Sequence, residues 1–187
     1  MRHRAILIAA LMLIATLMSS CKWGGIKGTV VDAESGVPIE DAAVVITWIW
    51  SGGLGPGSMQ IRETTTDKNG LFVFTRDKKA TSTPRHLVIY KYGYKSWTNK
   101  GVFDNNIMIG AEHPIFEWRS GQTYKMEKFP EGWSHLNHVR FIRDSLGHVY
   151  SPLWFEKAQK ELREGDREWD RLDEEKKQMR KKNVEKR

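Results

Sequence analysis

The chain has 187 residues and a mass of 21.6 kDa, which is room for one folded domain with appendages and argues against a multidomain enzyme. Hydrophobic residues make up 40% of the chain and aromatic residues 11%, so the chain as a whole is not disordered. Lysine and arginine outnumber aspartate and glutamate by 30 to 23, and the net charge of +7 is moderately basic.

Residues 1–20 have the pattern of a secretory signal peptide. Two arginines precede an uncharged run of 14 residues at 5–18, which is shorter than the roughly 20 residues of a membrane-spanning helix. The run ends in two serines and Cys21, the only cysteine of the chain. Residues 17–21 resemble the lipobox of bacterial lipoproteins. This resemblance implies cleavage before Cys21 and attachment of a diacylglyceryl group to its thiol.

Two alternatives for Cys21 are an ordinary thiol after a conventional cleavage site and a buried core residue. A lone thiol would be unusual in an exported chain, and two acyl chains are enough for a stable anchor. Residues 21–25 are then a short lipidated tether. Lys22 stands where many lipoproteins of the inner membrane have aspartate, so we expect anchoring in the outer membrane, with the folded part facing the periplasm.

The middle of the chain consists of short β-rich runs separated by turn residues. This pattern predicts a mainly β protein with an antiparallel β-sandwich. The predicted strands cover residues 26–31, 43–50, 59–66, 71–75, 85–92 and 122–129.

Two details of these runs carry further predictions. The run 43–50 has bulky residues on both faces, which predicts a strand at the centre of a sandwich or one whose second face is covered by another part of the chain. Asn69 and Gly70 lie between two β-rich runs, and this dipeptide is typical of a hairpin that pairs its two flanking strands.

Three motifs between residues 26 and 95 resemble the carboxypeptidase regulatory-like domain. The resemblance implies a transthyretin-like (prealbumin-like) sandwich, and it implies no catalytic residues within that sandwich. The matching residues are Gly28, Val30, Asp32, Gly36, Pro38, Ile39, Ala42 and Val44, then Thr66, Asp67, Gly70, Phe72 and Phe74, and last Tyr90, Lys91, Gly93 and Tyr94.

We therefore divide the mature chain into a β-sandwich at 26–132, with an apolar insertion at 95–121, and a helical extension at 133–187. Ser134 is positioned to cap a covering helix whose apolar stripe is Leu136, Val139, Ile142 and Leu146, and Gly147 ends it. Pro152 opens a second helix that runs toward the C-terminus.

The second helix is strongly charged, with 22 charged residues among the 32 from Glu156 onward. Its heptad-like stripe is Ala158, Leu162, Gly165, Trp169, Leu172 and Met179, interrupted by Lys176. We expect the first turns to dock on the sandwich or on the helix at 134–146, and the part from about Gly165 onward to be solvated. The alternative is that the stripe binds an envelope protein partner.

Candidate chemistry in the sequence is sparse, and we predict no catalytic residues, no cofactor and no metal. His135 and His138, with His113 and His148, are possible zinc ligands, but we favour capping and surface hydrogen bonds as the roles of the first two. The glycine-rich loop 51–58 lacks the ending of a phosphate-binding loop. Nucleic acid is not expected as a partner of an exported, lipid-anchored chain.

These observations predict a membrane-anchored, non-enzymatic envelope lipoprotein with a structural or binding β-sandwich. The alternative is a small hydrolase or a carbohydrate-binding protein with an unrecognised site. Solvent-exposed indole rings would favour saccharide binding, whereas buried rings would argue against it. The tryptophans concerned are Trp48, Trp50, Trp97 and Trp118.

Overall fold

The computed structural model describes residues 25–50, 58–75, 86–105, 121–147 and 149–185. The predicted signal peptide, Cys21, the glycine-rich loop 51–57, the segment 106–120 of the predicted insertion and His148 lie outside the described residues. Within the described ranges, no helix is both long and apolar enough to cross a membrane.

In the described ranges, seven strands form two sheets. The first sheet has the order β4-β1-β7 and the second has the order β3-β2-β5-β6. The strands are β1 (Gly25–Asp32), β2 (Ala43–Trp50), β3 (Ser58–Thr65), β4 (Leu71–Thr75), β5 (His86–Tyr90), β6 (Trp97–Thr98) and β7 (Gln122–Met126).

The first sheet is mixed because β1 pairs antiparallel with β4 and parallel with β7. In the second sheet, β2 pairs antiparallel with both β3 and β5, and β5 pairs antiparallel with β6. The β-sandwich with a helical extension is therefore confirmed, and the departure from a purely antiparallel arrangement among the described strands is the pairing of β1 with β7. Strand β6 lies inside the predicted insertion and extends the second sheet.

The predicted hairpin at Asn69 and Gly70 is wrong, because β3 and β4 belong to different sheets. The turn between them is closed by Asp67, whose Oδ1 accepts from the amides of Asn69 and Leu71 at 2.8 and 2.9 Å. Gly70 has φ +69°, and its amide donates to the Asp67 carbonyl. The prediction of a turn at these residues is confirmed. The turn, however, connects strands of two different sheets and does not form a hairpin.

The core between the sheets is built by side chains that alternate along the strands. Gly28 makes room for it, since a Cβ there would lie 2.6 Å from both the Phe72 and the Tyr124 rings. Those two rings meet with their centroids 5.7 Å apart. The buried side chains of this core are Val30, Ile39, Ala42, Val44, Ile46, Trp48, Phe72, Phe74, Leu87, Ile89, Tyr124 and Met126.

A third layer of helices covers the other face of the second sheet. The helices are α1 (His135–Ser145), α2 (Pro152–Lys157) and α3 (Gln159–Glu185). Between them and the sheet lies a second core, made of Ala43, Val45, Val88, Tyr90, Phe103, Val139, Phe141, Ile142, Leu146, Trp154 and Ala158. The bulky second face of β2 is thus covered by another part of the chain, as one of the two sequence interpretations predicted.

Serine side chains fix where the helices begin. Ser134 Oγ accepts from the Asn137 amide at 3.0 Å, and Ser151 Oγ accepts from the Trp154 amide at 3.1 Å. The predicted cap at Ser134 and the end of α1 before Gly147, with φ +69°, are confirmed. The second predicted helix is interrupted once, at Ala158, which ends α2 and immediately precedes α3.

Candidate functional site

The most prominent cluster of ionisable groups lies where α1 and α3 cross the end of β5. Helix α1 contributes His135 and His138, and α3 contributes Glu161 and Glu164. In each helix the two residues are three positions apart, so both point from the same face. We call these four residues, with Tyr90, Tyr92 and Ser96 around them, the His–Glu cluster.

His138 lies at the buried end of the cluster, with none of its side chain exposed. Its Nε2 accepts from the Ser96 amide at 3.0 Å, so this nitrogen carries no proton. The proton of the neutral ring is therefore on Nδ1, which donates to Glu161 Oε1 at 3.1 Å. The ring centroids of Phe103 and Phe129 are 4.7 and 4.9 Å away. The predicted surface role of His138 is wrong, because this side chain is a buried connector between α1 and α3.

His135 occupies the half-exposed end of the cluster. Its Nδ1 lies 2.5 Å from Glu161 Oε1, and its Nε2 lies 3.2 Å from Glu164 Oε2. Both ring nitrogens thus face carboxylate oxygens, so His135 connects α1 to both Glu161 and Glu164 of α3. Its ring stacks on Phe129 at 4.7 Å, and Tyr92 donates to the Glu164 carboxylate at 2.9–3.0 Å.

Glu161 is the centre of the cluster and is almost fully buried. Burial alone raises the pKa of Glu161, but the hydrogen bonds from His138 and His135 outweigh this effect, and the pKa falls below its ordinary value of 4.5. The Tyr90 hydroxyl donates to Glu161 Oε2 at 3.4 Å, and burial followed by the Glu161 charge raises the Tyr90 pKa well above 10. Tyr90 is therefore a neutral donor and Glu161 an ionised acceptor at neutral pH.

Ser96, His138 and Glu161 have the composition of a hydrolytic triad but not its geometry. In such a triad, the histidine Nε2 accepts from the serine hydroxyl. Here Nε2 is taken by the backbone amide of Ser96, and the buried Ser96 hydroxyl has no hydrogen-bond partner among the residues that the structure describes. All three side chains are buried. The arrangement therefore holds α1, α3 and the segment after β5 together, and it does not activate the serine as a nucleophile.

The zinc hypothesis gains no support from the described residues. In those ranges, no group of three or more His, Cys, Asp or Glu side chains is arranged to hold a metal ion. His138 has both ring nitrogens bound to protein partners. The remaining candidates, His113 and His148, lie outside the described residues.

A second polar centre joins distant parts of the sandwich around Asp32. Its Oδ1 accepts from the amides of Glu34 and Ser35 at 3.0 and 2.9 Å, and its Oδ2 lies 3.0 Å from both the Tyr94 hydroxyl and Lys128 Nζ. The Ser35 amide, and next Lys128, hold the Asp32 pKa well below its usual range. This centre stabilises the turn after β1 and the segments that follow β5 and β7.

Helix α3 remains in contact with α1 farther along the chain than we predicted. Glu168 accepts from the Ser134 hydroxyl at 2.6 Å and from the Leu136 amide at 3.2 Å. Gly165 is buried at the crossing, where a Cβ would lie 3.3 Å from Leu136 Cα. Trp169 is 49% exposed, with the Arg140 guanidinium 5.4 Å from its ring centroid. The docked part of α3 therefore extends to Trp169, and the expectation of a solvated helix from about Gly165 onward is wrong for these residues.

The tryptophans weighed as a saccharide platform do not form an exposed set among the described side chains. Trp48 is buried in the core between the sheets, and Trp97 is partly buried and packs against that core. The side chain of Trp50 and the whole of Trp118 lie outside the described residues, as does the predicted lipid-attachment residue Cys21.

Both histidines of the cluster are recognisable candidates in the sequence, whereas Glu161 and Glu164 are not. These two carboxylates lie within a strongly charged stretch, where no single acidic residue stands out. The available signal was the spacing. His135 and His138 are three positions apart on one helix, and Glu161 and Glu164 are three positions apart on another. Ser96 had no sequence signal, because its contribution to His138 is a backbone amide.

Comparisons with known proteins give structural matches only. No protein-family model matches the chain, and no curated protein matches it. Solved structures that match include the pilus 2b backbone protein of group B streptococcus, at 12% identity and TM-score 0.33, over 58% of this chain and 42% of that one. A 3-chlorocatechol 1,2-dioxygenase from Rhodococcus opacus 1CP matches at 18% identity and TM-score 0.33, over 59% and 62% of the two chains. A streptococcal ancillary pilin matches at 15% identity and TM-score 0.29, over 58% and 30%.

The chain spans less than two thirds of the length of each of these three proteins.

Proposed function

We propose that this protein is a lipid-anchored, non-enzymatic protein of the bacterial cell envelope, whose β-sandwich is a structural or binding module. The observation that carries the proposal is the order of features at the N-terminus. A basic start, an uncharged run of 14 residues and two small residues are followed at once by the only cysteine of the chain. Two acyl chains on Cys21 would hold the protein on a membrane.

The sandwich is proposed to be of the carboxypeptidase regulatory-like, transthyretin-like type. Support comes from the contacts among residues that carry the resemblance. Tyr94 donates to Asp32 although the two are 62 positions apart, and Thr66 Oγ1 bonds to the Ile39 carbonyl and the Ala42 amide. These bonds join three separate motifs of the sequence in one framework.

The non-enzymatic part of the proposal is supported by the His–Glu cluster. Its histidines and carboxylates are bound to one another, to tyrosine hydroxyls and to the Ser96 amide. The buried, misdirected Ser96 hydroxyl argues against a serine hydrolase. A fluorophosphonate probe, which reacts with activated serines, tests this directly. We expect no labelling of Ser96, and labelling that is lost in Ser96→Ala would contradict the non-enzymatic role.

Lipidation is tested by growing cells with labelled palmitate. We expect label on the parent protein and none on Cys21→Ser, which stays as an uncleaved precursor or leaves the membrane. Separation of inner and outer membranes then tests the proposed outer-membrane location, which rests on Lys22. Equal label on the parent and Cys21→Ser would contradict the anchor.

A further inference from the structure

The last three turns of α3 extend beyond the folded body. Every residue from Glu174 to Val184 is exposed, so this part of the helix gains nothing from burial. Lys177 lies 2.8 Å from Asp173 and 3.0 Å from Glu174, but ion pairs within a helix stabilise it only weakly. An isolated helix of this length is marginal in water. A second helix packed alongside would supply the missing contacts.

Charge is segregated along this helix in two mirrored halves. Residues 166–175 contain six acidic and two basic residues, a net charge of −4. Residues 176–185 contain five basic residues and one acidic residue, a net charge of +4. Two copies of the helix that run in opposite directions therefore place an acidic half against a basic half twice.

The heptad positions indicate which residues of the two helices would lie opposite each other. Leu172 and Met179 continue the stripe that contains the buried Gly165 earlier in α3, with Lys176 at the stripe position between them, and the next position of the stripe is Asn183. Met179 is 57% exposed. In an antiparallel pair, the stripe of one helix packs on the stripe of the other. Leu172 then lies opposite Asn183 of the second copy.

In this register, the residues that flank the stripe carry opposite charges on the two copies. Asp173 lies beside Arg180 of the second copy, and Glu175 lies beside Lys182 of the second copy. The two-fold relation repeats both pairs, so that all four flanking pairs are attractive. Charges at these positions set partner choice and orientation in helix pairs.

We propose that residues 170–185 of α3 pair antiparallel with the same segment of a second copy of this chain. An anionic membrane would attract the basic half and repel the acidic half, whereas a second copy complements both. The stripe is poor in apolar residues, so the inference rests on the proposed lipid anchor, which confines the copies to one surface and raises their effective concentration.

Disulfide trapping in membranes of cells that produce the full chain tests the pairing. Leu172→Cys and Asn183→Cys are produced together with different tags. We expect a mixed cross-linked dimer, and no dimer from Leu172→Cys alone, because the two copies of residue 172 lie about 16 Å apart along the helix axis. The parent chain controls for cross-links through Cys21. Cross-linking of Leu172→Cys with itself, or no mixed dimer, overturns the proposal.

Charge reversal gives a second, independent measurement on the same cysteine pair. One set of reversals, Asp173→Lys with Glu175→Lys, makes all four flanking positions basic. The other set, Arg180→Glu with Lys182→Glu, makes them all acidic. We expect each set to reduce cross-linking at least about tenfold when both copies carry it. One copy of each set should restore cross-linking, and failure to restore it overturns the proposal.

A matched control places the same charge change on the outer face of the helix. Asp170→Lys with Glu174→Lys should leave cross-linking within about twofold of the parent. If this control loses cross-linking as the first set does, net charge governs the association and the proposed register is wrong. Labelled palmitate on the same samples reports the anchor separately, so a failure of pairing is distinguishable from a failure of the proposed function.

Discussion

The Nδ1–H of His138 donates to Glu161 Oε1 at 3.1 Å, and this bond joins α1 to α3 beneath the protein surface. The second nitrogen of the same ring accepts from the Ser96 amide at 3.0 Å, which attaches both helices to the segment between β5 and β6. One buried imidazole thus connects three parts of the chain that are far apart in sequence. The helical extension is thereby fastened to the sandwich.

Removal of the central carboxylate should destabilise the protein. Glu161→Ala leaves His138 without its acceptor in a buried setting, and we expect a loss of about 3 kcal/mol in the free energy of unfolding. Denaturant titration measures this loss. Glu174→Ala, on the exposed part of α3, is the control and should change the free energy by less than about 0.5 kcal/mol. Equal midpoints for the parent and Glu161→Ala would mean that the cluster does not hold the helices.

Glu161 should also make the free energy of unfolding depend on pH. The Glu161 pKa is lowered in the folded protein, so its contribution is fully present above its ordinary value of 4.5 and is lost as pH falls through the lower, folded pKa. Titrations at a series of pH values should show stability falling below about pH 4.5. In Glu161→Gln this fall should be shallower, because the titrating group is gone. Identical slopes for both proteins would contradict the lowered pKa.

Gly70 and Gly36 form a matched pair for testing the crossing between the sheets. Both have positive φ, +69° and +71°, but a Cβ on Gly70 would lie 2.3 Å from the Val30 carbonyl oxygen, whereas no atom of the described part of the chain lies within 4 Å of one on Gly36. Gly36→Ala should cost about 1 kcal/mol of stability, and Gly70→Ala about 3 kcal/mol or more. Similar losses in thermal or denaturant unfolding would mean that the Gly70 turn does not approach β1 as described.

Truncation of α3 should have two distinct outcomes. A chain that ends after Leu172 keeps Glu168 on Ser134 and Leu136 and should lose less than about 0.5 kcal/mol. A chain that ends after Glu164 loses these bonds and the Gly165 crossing, and should lose about 1–2 kcal/mol. The melting temperatures of the two truncated proteins provide the measurement. A truncation after Glu164 that melts like the parent would contradict docking beyond that residue.

The sequence was sufficient to predict features that depend on local periodicity and caps. The alternation in β2 revealed two buried faces, and Ser134 with Gly147 marked both ends of α1. Sheet membership was not predictable, because the turn at Asp67 to Gly70 has the same chemistry whether the next strand pairs with its neighbour or crosses to the other sheet. The parallel pairing of β1 with β7 depends on strands about 90 residues apart, which local patterns do not encode.

The site was less predictable than the fold. The spacing of His135 and His138 was visible, but their burial depends on Phe103 and Phe129, which come from separate segments. Glu161 is one of many acidic residues in α3, and only the crossing with α1 distinguishes it. The residues of a buried polar cluster therefore follow from how the elements pack, not from their composition.

Mass spectrometry of the N-terminal peptide of the mature protein, purified from bacterial membranes, tests the proposed envelope function most directly. We expect a chain that begins at Cys21, lacks residues 1–20 and carries a diacylglyceryl group on the cysteine sulfur. A mature chain that begins at another residue, or that carries an unmodified Cys21, would contradict the lipid anchor and with it the proposed function.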